Sequence, residues 1–180
     1  MKSWYLIVAD RGRARFFALE WPDDPELESG PRLAELGVLS NPEMQTKDTD
    51  LFTGDSGRGY NPVGGQAPGY DDHRDRHRQE YVERFARQIA DTASKHVAQS
   101  KPPRLLVVAE PQMLGHLRKT LATKRLNDTE VVELAQDMSR HTPQQIHKVL
   151  ARHDLVPAAK PPLSGLHYPP GQAPPGNSAR

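Results

Sequence analysis

Residues 57–85, GRGYNPVGGQAPGYDDHRDRHRQEYVERF, gather groups able to do chemistry within one short span. Gly64 and Gly65 let the backbone adopt conformations and close approaches that a Cβ forbids, and they present Gln66 beside them. Directly downstream, His73, Arg74, Arg76, His77 and Arg78 form a basic cluster, with Arg58 ahead of the glycines. Such a cluster suits the phosphates of RNA, through contacts that weaken steeply with salt. Asp71, Asp72, Asp75 and Glu80 interleave with it, so a solvated helix face laced with i, i+4 ion pairs explains the same residues. Arg84 and Arg87 continue the positive side, and Arg11, Arg13 and Arg15 cluster near the N-terminus. Convergence of these arginines would make an RNA footprint, and spacing alone does not decide it.

Asp10, Glu110 and Asp137 each follow an apolar run that reads as a strand. Carboxylates beyond the ends of parallel strands are the ligand set of a two-metal nuclease, and they are also ordinary turn residues. His73 and His77 stand four apart, but no HExxH pattern accompanies them. No metal site is assigned. No phosphate-binding glycine motif follows a strand, and no serine or cysteine carries a nucleophile signature, so no cofactor is expected.

These groups need a scaffold, and the apolar pattern supplies one. Trp4 to Ala9 is a run for a strand buried on both faces. Asp10-Arg11-Gly12 makes a turn, and Ala14 to Leu19 returns as a second strand of a hairpin. Arg32 to Leu39 is a third. From Ser40 to about Tyr70 neither period is present, and a loop of roughly 30 residues in a domain is usually functional or disordered. Asp71 or Asp72 is placed to cap a helix whose inner face is Tyr81, Val82, Phe85, Ala86, Ile89, Ala90, Ala93 and Val97. Leu105 to Ala109 is a buried strand; Pro111 opens a helix with Met113, Leu114, Leu117 and Leu121 inward. Thr129 to Leu134 is a fifth strand, and Thr142 caps a last helix with Ile146, Val149 and Leu150 inside. The order β-β-β-α-β-α-β-α predicts an α/β fold with a ribonuclease-H-like mixed sheet: an antiparallel three-strand meander, then parallel βαβα units with helices on the faces.

Several segments together resemble the bacterial host attachment protein family: WYLIVADRGRARFFAL, DSGRGY, DDHRDRHRQEYVERFARQIADTAS, LLVVAEPQMLGHLRKTL and VVELAQDMSRHTPQQIHKVL, spanning about residues 3 to 153. That family in turn is similar to the central domain of archaeo-eukaryotic class 1 peptide-chain release factors and of Pelota, where a strand meander leads through a mobile loop into a long basic helix. The release factors carry Gly-Gly-Gln at the loop tip, and Gly64-Gly65-Gln66 occupies the corresponding place. The resemblance implies hydrolysis of peptidyl-tRNA on stalled ribosomes. The Gln66 backbone N–H would serve the leaving 3′ oxygen, and its side chain would position or exclude water. It also implies a ribosome or tRNA partner. This sequence departs from the release-factor pattern at Pro62, before the triplet, and at Pro68-Gly69, after it. The alternative is a non-catalytic module in host attachment or stress response, binding proteins through the loop and the Pro-rich tail.

At 180 residues the chain suits one domain, expected over 1–155 with the loop at 40–71. A hydrophobic content of 36% is low, and 17 Pro and 13 Gly concentrate in that loop and after Leu155, so residues 156–180 are expected to be disordered. A net charge of +1 offers no global field toward nucleic acid, so a local patch must carry any RNA contact. The chain has no cysteine, which excludes disulfides and thiolate metal sites. The N-terminal apolar run of about five residues is shorter than a signal-peptide core, and no stretch reaches the roughly 20 apolar residues of a span. A soluble, cytoplasmic protein without membrane contact is the expectation.

Overall fold

The computed structural model describes residues 4–24, 26–44, 70–126 and 128–161, and their side chains apart from those of 70–75. Strands β1 (Trp4–Ala9), β2 (Arg13–Glu20) and β3 (Arg32–Ser40) precede helix α1 (Tyr70–Ser100). Then come β4 (Arg104–Ala109), α2 (Pro111–Leu121), β5 (Glu130–Ala135) and α3 (Pro143–Arg152). The strands form one mixed sheet of order β3-β2-β1-β4-β5, antiparallel through the first three and parallel from β1 through β4 to β5. This is the expected ribonuclease-H-like α/β arrangement.

Parallel pairing sets β1 against β4 in the register Tyr5↔Leu105 to Ala9↔Ala109. Both strands are apolar along their length because both faces are covered: Leu6, Val8, Leu106 and Val108 are as buried as Tyr5, Ile7, Leu105 and Val107. On the second of these faces, Ile7, Phe16 and Val107 join Phe85, Ile89 and Val97 of α1 and Met113 and Leu117 of α2 in one core. Each fully buried side chain of this size contributes about 1.5–3 kcal/mol relative to exposure. The α1 face read from periodicity is buried as expected from Val82 to Val97, with Tyr81 half-buried.

The chain divides into two compact units, one of residues 2–18 with 35–140, the other of residues 19–34 with the chain from 141 onward. The core just described belongs to the first. In the second, Leu19, Leu33, Ile146, Leu150 and Val156 are buried. Gly30 and Lys160 form an antiparallel bridge, with N–H···O distances of 3.1 and 2.9 Å. A Cβ on Gly30 would come within 2.5 Å of Pro22 Cδ, so this approach requires glycine.

Four expectations need correction. Val149, read as inward on the last helix, is half-exposed, and His147 is buried instead. Helix α1 begins at Tyr70, so Asp71 and Asp72 lie inside its first turn rather than at its N-cap. Strand β5 is shifted one residue, to Glu130–Ala135. Residues 156–161, expected to be without order, hold buried Val156 and the Lys160 bridge; backbone pairing to Gly30 fixes a segment that its proline content would leave loose.

Candidate nucleic-acid interface

A cleft of about 610 Å³ opens beyond the carboxyl ends of β1 and β4. In this sheet β1 leads to β2 on one side and β4 leads to β5 on the other, which makes the gap between them the topological switch point where open α/β sheets gather ligands. The turn after β1 contributes Arg11. Helix α1 contributes Arg78, Gln79 and Val82, and α2 contributes Gln112, His116 and Lys119.

The Arg11 turn is held from several sides. Asp10 Oδ1 accepts from the N–H groups of Gly12 and Arg13, each at 2.7 Å, and the Asp10 N–H donates to the Arg13 carbonyl at 2.9 Å. Asn41, buried just after β3, donates through Nδ2 to the Arg11 carbonyl at 3.0 Å and through its N–H to the Gly12 carbonyl at 2.8 Å. These bonds satisfy the turn's polar groups and fix its direction. Arg11 Nε lies 2.8 Å from Glu110 Oε1. That oxygen forms no hydrogen bond of acceptable angle, so the contact is an ion pair rather than a directed bond.

Helix α2 carries His116 and Lys119 one turn apart, on the stripe beside its buried Met113 and Leu117. The cleft therefore brings together Arg11, Arg78 and Lys119, with His116 beside them. Glu110 is the carboxylate within ion-pair reach of Arg11.

The arginines and histidines singled out in the sequence part company here. Arg78 is brought to the cleft. Arg76 and His77 are exposed on α1, where His77 lies 3.7 Å from Glu80 and stacks on Tyr81 at 6.5 Å between ring centroids. Arg84 sits 5.5 Å over the same Tyr81 ring and 3.2 Å from Glu43. Among the described side chains this stripe is in contact with its own helix, through Glu80 and Tyr81, and with Glu43 rather than with the cleft. His73 and Arg74 lie on the first turns of α1, with side chains outside the described residues. Gly64, Gly65, Gln66 and Arg58 lie outside them altogether.

Arg15 does not join the cleft. It is buried on β2, where its guanidinium makes two bonds to Glu35, Nε–Oε1 at 2.9 Å and Nη2–Oε2 at 2.8 Å, and lies 4.8 Å over Phe17. These bonds hold the Glu35 carboxyl below its usual range. The three carboxylates weighed as metal ligands are each spent locally: Asp10 in its turn, Glu110 on Arg11, and Asp137 on the N–H (3.0 Å) and hydroxyl (2.8 Å) of Ser139. No group of three metal-ligating side chains occurs among the described residues.

His116, Lys119 and Asn41 were not singled out from the sequence. A lysine and a histidine on a helix carry no signal until the parallel pairing of β1 with β4 sets α2 beside the Arg11 turn, and Asn41 looks like any polar residue after a strand. No helix among the described residues is long and apolar enough to cross a membrane.

The comparison with known proteins agrees in extent with the resemblance drawn from the motifs. Residues 5–150 match a family model described as a protein required for attachment to host cells. No curated protein matches the chain.

Proposed function

The chain belongs to the host attachment family, and from that premise we propose that it is a ribosome- or RNA-associated protein that holds nucleic-acid phosphates in the cleft beyond β1 and β4. The observation that carries this reading is the gathering of Arg11, Arg78, His116 and Lys119 from three separate elements around one opening. Cations drawn from a turn and two helices into a concave site focus their field on a polyanion more strongly than the same charges spread over one helix face. The segment bearing Gly64-Gly65-Gln66 runs directly into α1, the helix that supplies Arg78. On this reading the substrate is a peptidyl-tRNA held by its backbone at the cleft, and the triplet is the group that acts on its ester, the Gln66 backbone N–H serving the leaving oxygen and the side chain the attacking water.

Co-sedimentation with ribosomes tests the first part. Contact with three or four phosphates predicts a loss of affinity of roughly 20- to 150-fold between about 50 and 200 mM salt. Arg78→Ala and Lys119→Ala should each weaken association and flatten its salt dependence. Association that is absent, or unmoved by salt and by both variants, rejects the cleft as an RNA site. Release of peptide from stalled ribosome-nascent-chain complexes tests the second part, with Gly65→Ala and Gln66→Ala alongside the unaltered chain. Salt-sensitive association without release would leave a binding protein; absence of both would favour a module that meets protein partners.

A further inference from the structure

Helix α2 carries a glycine that its packing does not explain. Gly115 stands in mid-helix between buried Leu114 and Leu117, where glycine is less stable than alanine because its backbone loses more freedom on folding. A Cβ built there would meet nothing within 4 Å, so no neighbour among the described residues presses close enough to require its absence. The open space beside it is the cationic cleft. Gln112, Gly115, His116 and Lys119 fall at i, i+3, i+4 and i+7, which makes them one face of α2, and all four line that opening. The glycine leaves a bare stretch of helix backbone in the cleft wall, where a ligand can approach more closely than a side chain permits.

The rest of the lining is mixed in a way that phosphates alone do not need. Val82 of α1 and Met44, half-buried against the core, give the opening an apolar part. Gln112, exposed in the first turn of α2, and Gln79 of α1 add carboxamides, the Gln79 amide lying 3.5 Å from Glu83 Oε1. The volume of about 610 Å³ is that of a small-molecule pocket rather than of one phosphate. Apolar faces, a polar edge and an attached phosphate together describe a nucleotide. In a duplex the faces of a base are covered by stacking and its edge by pairing, so an unpaired base is the form that offers both.

We propose, resting on the RNA reading of this cleft, that it takes one unpaired nucleotide of a single strand. The base lies against the bare backbone at Gly115 and the side chains of Met44 and Val82, its edge meets the Gln112 carboxamide, and the adjoining phosphates lie on Arg11, Arg78 and Lys119. The preferred ligand is then a single-stranded end or loop of RNA. The cations respond to phosphate alone, whereas the wall at Gly115 responds to the base.

The probes are a single-stranded RNA pentanucleotide of mixed sequence, an abasic ribose-phosphate strand with the same number of phosphates, and the four nucleoside 5′-monophosphates. Calorimetric titration into the full chain at low and high salt reads affinity. The pentanucleotide should bind about fivefold or more tightly than the abasic strand, the lower end of what one held base contributes, and both should weaken with salt. Gly115→Leu should bring the pentanucleotide down to the affinity of the abasic strand, and Gln112→Ala, at an exposed position, should narrow the difference. Lys119→Ala should weaken both strands alike. Gly115→Ala should raise the thermal midpoint, as expected where packing does not need the glycine. Salt-sensitive binding of both strands with equal affinity overturns the inference and leaves the phosphate reading intact; binding of neither rejects that reading and the inference with it. The inference also falls if the preference for the base survives both Gly115→Leu and Gln112→Ala, if Gly115→Ala lowers the midpoint, or if a monophosphate binds as tightly as the pentanucleotide, which would make the ligand a free nucleotide.

Discussion

Two side chains show how this chain treats polar groups that it buries. Tyr5 on β1 packs its ring 5.0 Å from that of His96 and is only 4% exposed, yet its hydroxyl has no hydrogen-bond partner among the described residues. Burial pushes the phenol up to about 12. Tyr5→Phe should therefore keep the packing and remove an unsatisfied donor, raising stability by about 1 kcal/mol in urea unfolding; a loss of that size would mean that the hydroxyl is satisfied after all. Arg15 is the opposite case, a buried cation with its carboxylate in place. Glu35→Ala strands that cation and should cost about 2 kcal/mol, read as a lower urea midpoint with an unchanged slope, whereas Arg15→Met with Glu35→Leu should recover much of the loss. Nothing in the spacing of Arg11, Arg13 and Arg15 distinguishes the one that reaches the cleft from the one that turns inward. On β2, Arg15 lies on the same face as buried Phe17, so strand alternation puts it inside, and the carboxylate of Glu35 on the neighbouring strand compensates its charge there.

At the scale of elements, local rules were legible wherever they acted alone. Thr142 and Gln145 form the capping box that a Thr ahead of Pro143 announces: Thr142 Oγ1 accepts from the Gln145 N–H at 3.2 Å, and the Thr142 N–H donates to Gln145 Oε1 at 2.9 Å. Thr142→Ala should cost about 1 kcal/mol, visible as earlier amide exchange in α3. Thr142→Ser should leave it near wild type, and equal losses from both would point to the methyl group rather than the cap. The same helix marks where legibility stops. Ile146 and Leu150 fix the buried stripe one turn apart, but either His147 or Val149 can flank it. Hydrophobicity favours Val149; the structure buries His147 and leaves Val149 half-exposed, because a carbonyl at Pro157 receives the imidazole. A partner ten residues away, beyond the end of the helix, leaves no mark in helical periodicity. The cleft is illegible for the same reason: Arg11, Arg78 and Lys119 stand in three different stretches of sequence, and only the parallel β1–β4 pairing gathers them.

Over the whole molecule, two of the perturbed groups, His147 and Glu35, predict the shape of the stability curve from neutral to acid pH. His147 is pulled below its ordinary value of 6.5, by burial first and against the Pro157 bond. The unfolded chain therefore takes up this proton at a higher pH than the native state does. Its contribution to stability is complete above 6.5, falls as pH drops through the native value, and is flat below it. Glu35 is pulled below 4.5, chiefly by the bonds from Arg15, so its contribution is complete above 4.5 and falls at more acid pH. Two separate declines should appear in urea midpoints measured from pH 8 to 3, the first beginning near neutrality. His147→Gln should flatten the upper one and leave the lower, while Glu35→Gln should soften only the lower. Hydrogen exchange locates the first decline: protection in α3 and around Gly30 and Lys160 should weaken between pH 7 and 5, while β1, β4 and the α1 face from Val82 to Val97 hold. An upper decline that survives His147→Gln would place the titrating group elsewhere.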